Sequence, residues 1–256
     1  MQPKVSIVSR PQIDWSALEG YLAGDALTWV RAPEMSDADA LVEFAGRVCY
    51  MSFGEKQHRQ SNAAYIANLV TQGHGSVLEH AAWTFVLSGV SRAFTHQLVR
   101  HRVGFSFSQL SQQYADHSTT TFVRPSELDD DPEAAAVWQE AVESAQNSYI
   151  SLITLLERNT PRRGKEARRA IASAARAVLP NATETTIVVT ANARALRHFL
   201  EQRGAIEGDA EMRRVCSALL CDLKREAPSL FADFVVERLE DGSPIVRQVR
   251  TEPAVR

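Results

Sequence analysis

The sequence predicts one α+β domain, on three observations. Its 256 residues suffice to bury a sizeable single core. Segments of two-residue apolar alternation are interspersed with segments of helical spacing. No internal repeat, low-complexity stretch or linker divides residues 1–256.

In chain order, residues 4–9 (KVSIVS) alternate and form a short strand. Ser36 with Asp39 opens a helix as a capping box, and Leu41, Phe44, Val48 and Met51 follow at helical spacing. A second helix runs from Asn62 to Thr71 with Tyr65, Ile66 and Leu69 apolar, and stops at Gly73. The turn Gly73-His74-Gly75-Ser76 lets backbone, His74 and Ser76 come close to a ligand. Trp83, Phe85 and Leu87 alternate with Thr84, Val86 and Ser88 in a strand ending at Gly89. Ser91 caps the next helix, where Gln97 and Arg100 share a face and converge on one ligand.

After a polar loop, Thr119–Val123 is β-prone, and Asp129-Asp130-Asp131-Pro132 supplies capping charge to the next helix. That long helix spans residues 133–157, with Val137, Val142, Ala145, Tyr149, Leu152 and Leu156 as its apolar stripe. Arg162, Arg163, Lys165, Arg168, Arg169 and Arg176 come after it. Lys165, Arg169 and Arg176 fall on one helical face, and most of this charge is expected to be solvated surface. Pro180 ends the helix that carries them, and residues 185–190 (TTIVVT) form a β-branched strand. Asn192–Gln202 and Ala210–Arg225 resume helical spacing, and FADFVVERLE ends in a strand and a loose tail.

Composition is that of an ordinary soluble globular protein, 45% hydrophobic and 23% charged with mean hydropathy −0.22. No apolar run reaches bilayer length, and MQPKVSIVSR lacks the apolar stretch of a secretory signal, so a cytoplasmic location without a membrane partner is expected. A net charge of −3 and a pI near 6.2 give no field favouring a polyanion. Nucleic acid is therefore not an expected partner, whereas small anions on local arginine clusters are compatible. Three cysteines without a Cys-x-x-Cys pair argue against a disulfide framework and a zinc ribbon. Cys49, Cys216 and Cys221 are expected to be buried thiols. His74 with His80, and His96 with His101, are spaced wrongly to share a helical face, so no metal site is expected. No Gly-x-Gly-x-x-Gly turn is present, which excludes a Rossmann mode of binding.

Arg100-His101-Arg102, with Ser111 nine residues later in RHRVGFSFSQLSQQY, carries most of the functional information. Two guanidiniums separated by one imidazole are costly to bury without an anionic, planar partner. Ser106, Ser108, Gln109, Ser111, Gln112 and Gln113 suit phosphate oxygens and the edge of a heterocyclic base. Taken alone, the triplet also fits an arginine-rich helix end with an ordinary polar loop. No cysteine lies near it and Ser111 has no evident Ser-His-Asp partners, so Ser111 is given a binding rather than a nucleophilic role.

Arg-His-Arg with that serine, closed by Ser-Gln-x-Tyr, resembles the signature of the flavin-dependent thymidylate synthases. GHGSVLEH at 73–80 and SRAFTHQLVRHR at 91–102 are similar to the segments leading into it, and ARAVLPNATET at 175–185 and VVTANARALRHFLEQR at 188–203 to its second half. The likeness runs in the right order over roughly residues 40–235. It implies a single domain with a central, twisted, mostly antiparallel sheet flanked by helices. It implies FAD-dependent C5-methylation of a uridine monophosphate, dUMP to dTMP, with 5,10-methylenetetrahydrofolate as carbon donor and NADPH as reductant. The protein's share is positioning and electrostatics, while the cofactor carries the redox chemistry. A homotetramer with shared sites is implied as well.

Carried over position by position, the resemblance implies a flavin set of Ser76, Arg100, His101, Arg102, Asn192, Arg194 and His198. It implies a nucleotide set of Gln97, Gln109, Ser111, Gln112, Gln113, Arg176 and Arg203, with Arg176 beside the phosphate. His74, Ser111 and Arg203 would stand nearest the chemistry, and the segment around Cys49 near the flavin. Two positions depart from the family pattern: Gln113 replaces the arginine of Ser-Gln-Arg-Tyr, and Glu207 stands in the segment where a histidine is usual. Glutamine keeps hydrogen bonding but loses a charge and some reach. The loss opens an alternative, the same methylation of UMP in specialised nucleoside biosynthesis, since a shorter Gln113 leaves space for a 2′-hydroxyl. An alternative of another class is a non-catalytic flavin- or nucleotide-binding protein.

Overall fold

The computed structural model describes residues 2–59, 61–160 and 164–249. In chain order its elements are β1 (Lys4–Ser9), α1 (Trp15–Gly24), α2 (Asp37–Tyr50), α3 (Asn62–Thr71), β2 (Ala82–Ser91), α4 (Arg92–Leu98), β3 (Phe105–Gln109), α5 (Pro132–Asn159), α6 (Lys165–Ala175), β4 (Glu184–Asn192), α7 (Ala193–Arg203), α8 (Ala210–Glu226), β5 (Phe234–Arg238) and β6 (Pro244–Gln248). This mixture of helix and strand is the α+β class expected. Four strands form a sheet in the order β1-β2-β4-β3, and β5 and β6 form a separate antiparallel pair with Phe234 opposite Gln248. β2 and β4 run in opposite senses, since Ala193 N–H donates to Ala81 O (2.8 Å) and Arg92 N–H to Thr183 O (3.0 Å).

Two compact units divide the chain, each assembled from separated segments. Of the described residues, one holds those of 2–4, 86–100 and 107–188; the other holds those of 5–85, 101–106 and 189–249.

In the larger unit, Ser36 Oγ accepts Asp39 N–H (3.1 Å) to start α2, and Met51, at φ 44°, ends it. Asp39 itself is buried and reaches far in sequence, its carboxylate accepting N–H from Ser229 (3.0 Å) and Leu230 (3.1 Å). Burial outweighs those bonds and raises its pKa. One turn on, Glu43 and Arg47 form a buried ion pair that Trp29 and Asn62 complete. The apolar core is built from Ile66 and Leu69 of α3, Trp83 and Phe85 of β2, Leu196, Phe199 and Leu200 of α7, and Leu219, Leu220 and Leu223 of α8. Arg197 of α7 is buried by a two-pronged bond to Asp233 (both 2.7 Å), a geometry that suits a guanidinium.

In the smaller unit, Asp131 caps α5 and Pro132 takes its first position, where the missing N–H costs nothing. Only Val142 and Tyr149 of this long helix are fully buried. Val137 is 70% exposed, and half-buried Trp138 replaces it in the stripe, because four residues back from Val142 falls on 138. Phe94 and Leu98 of α4, Ile171 and Ala175 of α6, and Ile187 of β4 are buried in this unit.

Several expectations are corrected. α4 ends at Leu98 and its last turn tightens, Arg100 N–H bonding to Gln97 O (3.3 Å), so Arg100 lies in the turn rather than on the helix with Gln97. The segment FSFSQ, read as loop, is β3, with Phe105, Phe107 and Gln109 half-buried and Ser106 and Ser108 exposed. Of Thr119–Val123 only Phe122 pairs, in a single bridge to Thr183. The expected loose tail contains β6. Cys216 is buried, and burial raises its thiol pKa, but Cys49 and Cys221 are exposed, each on the outer side of its helix. Arg162 and Arg163 lie outside the described residues.

Candidate active site

Arg92 opens α4. Ser91 Oγ caps the helix by accepting Phe94 N–H (3.0 Å), while the N–H groups of Arg92 and Ala93 donate to Thr183 O and Asn181 O (both 3.0 Å). Those bonds pin the helix start to the segment just after Pro180. Arg92, His96, Gln112, Ser173 and Arg176 line an open cavity of about 440 Å³ in the smaller unit. Burial and, after it, the neighbouring Arg176 lower the pKa of Arg92. Neither guanidinium forms an ion pair among the described residues. Two close, unneutralised cations in a cavity make a site for an anion. Sequence reasoning identified Arg176 and Gln112 but missed Arg92 and His96, whose signal was their four-residue spacing behind a serine cap.

The backbone curls around Ser111. Its hydroxyl accepts Gln113 N–H (3.3 Å), and its carbonyl accepts the N–H of Tyr114 (3.3 Å) and Ala115 (3.1 Å). The buried ring of His117 also bonds the Ser111 backbone, and burial followed by Arg92 lowers its pKa. Gln109 commits its amide nitrogen to Thr95 Oγ1 (2.9 Å) and Thr185 Oγ1 (3.3 Å), which fixes the orientation of its carbonyl. Gln113 turns its amide to Ser173 Oγ (3.1 Å). Gln97 is half-buried on α4 and Arg100 is exposed in the turn beyond it.

In the larger unit, Arg203 Nε donates to His101 Nε2 (3.1 Å). Phe199 meets the His101 ring edge-on at 5.0 Å, and His198 lies 6.4 Å away. Burial, then Arg203 and His198, lower the His101 pKa, so the imidazole is neutral. The next residue, Arg102, is exposed. Gly104, at φ 74°, accepts Asn192 N–H (3.2 Å), and a Cβ there would stand 2.8 Å from Ala195 Cβ. Only glycine fits both demands. Asn192 caps α7, its Oδ1 accepting Ala195 N–H (2.9 Å). Arg194 pairs with Glu79 (2.7 Å) and lies on Gly75, where a Cβ would come within 2.9 Å of its Nε.

A second cavity, of about 300 Å³, is lined by Gly73, Gly75, Leu78, Arg194, His198, Glu201 and Phe234. His74 is half-buried with its ring edge on Tyr50 at 5.8 Å, and Ser76 is exposed on the 3₁₀ turn Gly75–His80. Within this unit, therefore, stand His74, Ser76, His101, Arg102, Asn192, Arg194, His198 and Arg203. Within the smaller one stand Gln97, Arg100, Gln109, Ser111, Gln112, Gln113 and Arg176. Glu207 is exposed beyond α7. Among the described residues no group of three or more His, Cys, Asp or Glu side chains is placed to hold a metal ion, and no helix is long and apolar enough to cross a membrane.

Comparison with known proteins agrees with the motifs. The family described as thymidylate synthase complementing protein matches residues 32–229. The flavin-dependent thymidylate synthase of Mycobacteroides abscessus is 41% identical over 252 residues, covering 94% of this chain and 91% of that protein. Those of Mycolicibacterium vanbaalenii and Mycobacterium tuberculosis are 45% and 44% identical over 223 residues, covering 83% of this chain and 87% of each relative. The chain belongs to the flavin-dependent thymidylate synthase family, a family of methyltransferase enzymes.

Proposed function

We propose that this protein methylates C5 of a uridine 5′-monophosphate, converting dUMP to dTMP with FAD as cofactor, 5,10-methylenetetrahydrofolate as carbon donor and NADPH as reductant. The observation that carries the reading is the cavity in which Arg92 and Arg176 stand together with no ion-pair partner among the described residues. A phosphate is the partner such a pair lacks, and Gln112 and Ser173 add neutral hydrogen-bonding groups beside it. Gln109, held by two threonines, offers a fixed carbonyl for a base edge.

The residues of the larger unit suit a flavin. Gly73 leaves room for close approach and Gly75 for the side chain of Arg194, Leu78 and Phe234 supply apolar wall, and Arg194 and His198 supply polar groups for a planar ring with an anionic tail. Ser76, His101, Arg102, Asn192, Arg194 and His198 are proposed to hold it, with Arg100. When bound, the flavin supplies the reducing equivalent that completes the methyl group and mediates one-carbon transfer. The chain's own part is to bind and orient. Arg203 is a permanent cation whose Nε is anchored on His101, and it is suited to negative charge developing on the pyrimidine. His74, beside Tyr50, is proposed to border the flavin and the folate. Ser111 uses its hydroxyl as an acceptor for Gln113 N–H, in keeping with binding rather than attack.

A cytoplasmic homotetramer is proposed on the family likeness. Val103 and Tyr114 of the signature, 86% and 70% exposed, are apolar surface that a second subunit would cover. UMP is the second reading of the substrate. It is favoured because Gln113 is drawn onto Ser173, and the hydroxyl of Ser173 lines the cavity where an added ribose hydroxyl would need a partner.

Single-turnover methylation by the FAD-reduced protein, with methylenetetrahydrofolate and either dUMP or UMP, tests this directly by product mass. A dUMP preference supports a thymidylate synthase, and equal or better use of UMP a uridylate methylase. Flavin-loaded protein that methylates neither and never oxidises NADPH would be a binding protein.

A further inference from the structure

We infer that Gln113 is a positioning residue: its side chain latches the signature segment to one face of α6 and thereby sets how tightly the Arg92–Arg176 cavity holds a nucleotide phosphate. The inference rests on the phosphate reading of that cavity. Along α6 and its cap, Arg169, Ser173 and Arg176 are separated by four and three residues and share a face. The signature meets that face in reverse order. The guanidinium of Arg169 lies 5.0 Å over the ring of Tyr114, Gln113 Nε2 donates to Ser173 Oγ over 3.1 Å, and Gln112 lines the same cavity as Arg176. The backbone N–H of Gln113 also donates to Ser111 Oγ (3.3 Å). One residue thus fixes the Ser111 hydroxyl through its main chain and α6 through its side chain.

A neutral amide is the right group for this place. Arg92 and Arg176 already oppose one another with no ion-pair partner among the described residues, and a third guanidinium would add repulsion to the unliganded protein. Glutamine reaches Ser173 by a hydrogen bond and adds no charge. Releasing it leaves both guanidiniums in place but frees Gln112 and the end of α6 to move relative to one another. The cost falls on holding the phosphate, not on the reacting ring.

The test is a double-mutant cycle on the full chain with its flavin, using Gln113→Ala, Ser173→Ala and the pair. Dissociation constants for dUMP, UMP and deoxyuridine are read by calorimetry, with KM and kcat for whichever nucleotide is turned over. Each single variant is expected to weaken monophosphate binding about threefold to tenfold, the worth of one hydrogen bond, and to raise KM by a larger factor than it lowers kcat. The pair should be no worse than the poorer single variant, deoxyuridine binding should not change, and Ser173→Thr should restore wild-type affinity by keeping the hydroxyl. Additive losses, a fall in kcat at constant affinity, or equal losses for deoxyuridine would overturn the latch. Wild-type protein that binds no uridine monophosphate would overturn the cavity's reading and the latch with it. Binding without methylation would overturn the proposed reaction alone, and a coupled cycle would still support the latch.

Discussion

Arg203 donates its Nε–H to Nε2 of His101 over 3.1 Å, so the signature histidine is a neutral imidazole carrying its proton on Nδ1. The pair joins the first turn after Arg100 to the last turn of α7, and both residues belong to the set expected to serve the reaction. Arginine cannot give up its proton, so acid acts on this contact only through the histidine.

Stability is therefore expected to fall on the acid side. Burial, Arg203 and His198 lower the His101 pKa from its ordinary 6.5. Above 6.5 the imidazole is neutral in both folded and unfolded chains, and the contact contributes in full. As pH drops below 6.5 the unfolded chain takes the proton first, and the contribution is lost progressively until the folded histidine is also protonated. In urea titrations across this range, His101→Gln, which keeps an acceptor for Arg203 but cannot titrate, should show a shallower acid loss than wild type. Equal slopes would mean that His101 is not the titrating group.

Removing Arg92 should separate binding from stability. Arg92→Gln deletes one of two mutually repelling cations, so the unliganded protein should unfold at the same or a higher temperature. Affinity for a uridine monophosphate should fall by about tenfold to a hundredfold, the worth of a hydrogen bond to a charged group, and depend less on salt. A lower melting temperature with unchanged affinity would make Arg92 structural.

Gly204 is a contact point rather than a hinge. Its φ is −63°, but an added Cβ would stand 2.5 Å from Leu200 O and 2.6 Å from Val246 Cβ, and its carbonyl accepts Val246 N–H (2.8 Å). Gly204→Ala must push the β5–β6 hairpin away from the end of α7, at about 1–3 kcal/mol by analogy with overpacked cores. Arg203 is the adjacent residue, so nucleotide affinity should fall with stability. Chemical denaturation and nucleotide titration of one preparation check both, and unchanged stability would show that the hairpin yields freely.

What the sequence made legible was local. The caps at Ser36, Ser91 and Asp131 announce helices whose first N–H groups they bind, because capping is a matter of three or four neighbouring residues. β3 was hidden because its outward residues, Ser106 and Ser108, look like loop, although Phe105, Phe107 and Gln109 carried the two-residue period. Asp39 suggested a capping box, yet its carboxylate serves Ser229 and Leu230, a partnership that no window of sequence contains. Arg92 was obscured for the opposite reason: as the first residue of a capped helix it needed no further explanation until Arg176 appeared beside it. The candidate residues were legible by motif, whereas their hydrogen bonds, such as Arg203 to His101 and Gln113 to Ser173, required the fold.

The buried pair Glu43–Arg47 should show the asymmetry expected of a charge that cannot reach water. Glu43 accepts from Arg47 Nε (2.6 Å), Trp29 Nε1 (3.1 Å) and Asn62 Nδ2 (2.7 Å). Arg47 goes on to donate to the carbonyls of Ser52 (3.0 Å) and Arg59 (2.7 Å), with Tyr65 4.3 Å beneath its guanidinium. Glu43→Gln leaves that guanidinium buried without a counter-charge and turns an amide donor toward Asn62, so a loss of about 3–5 kcal/mol is expected. Replacing both residues by methionine removes the buried charge altogether and should cost less than Glu43→Gln alone. The same helix ends at Tyr50, whose ring meets His74, so loosening it should also weaken flavin retention. Urea unfolding and flavin fluorescence of the single and double variants test both, and a double variant less stable than Glu43→Gln would show that the bonds Arg47 makes to Ser52 and Arg59 outweigh the cost of burying its charge.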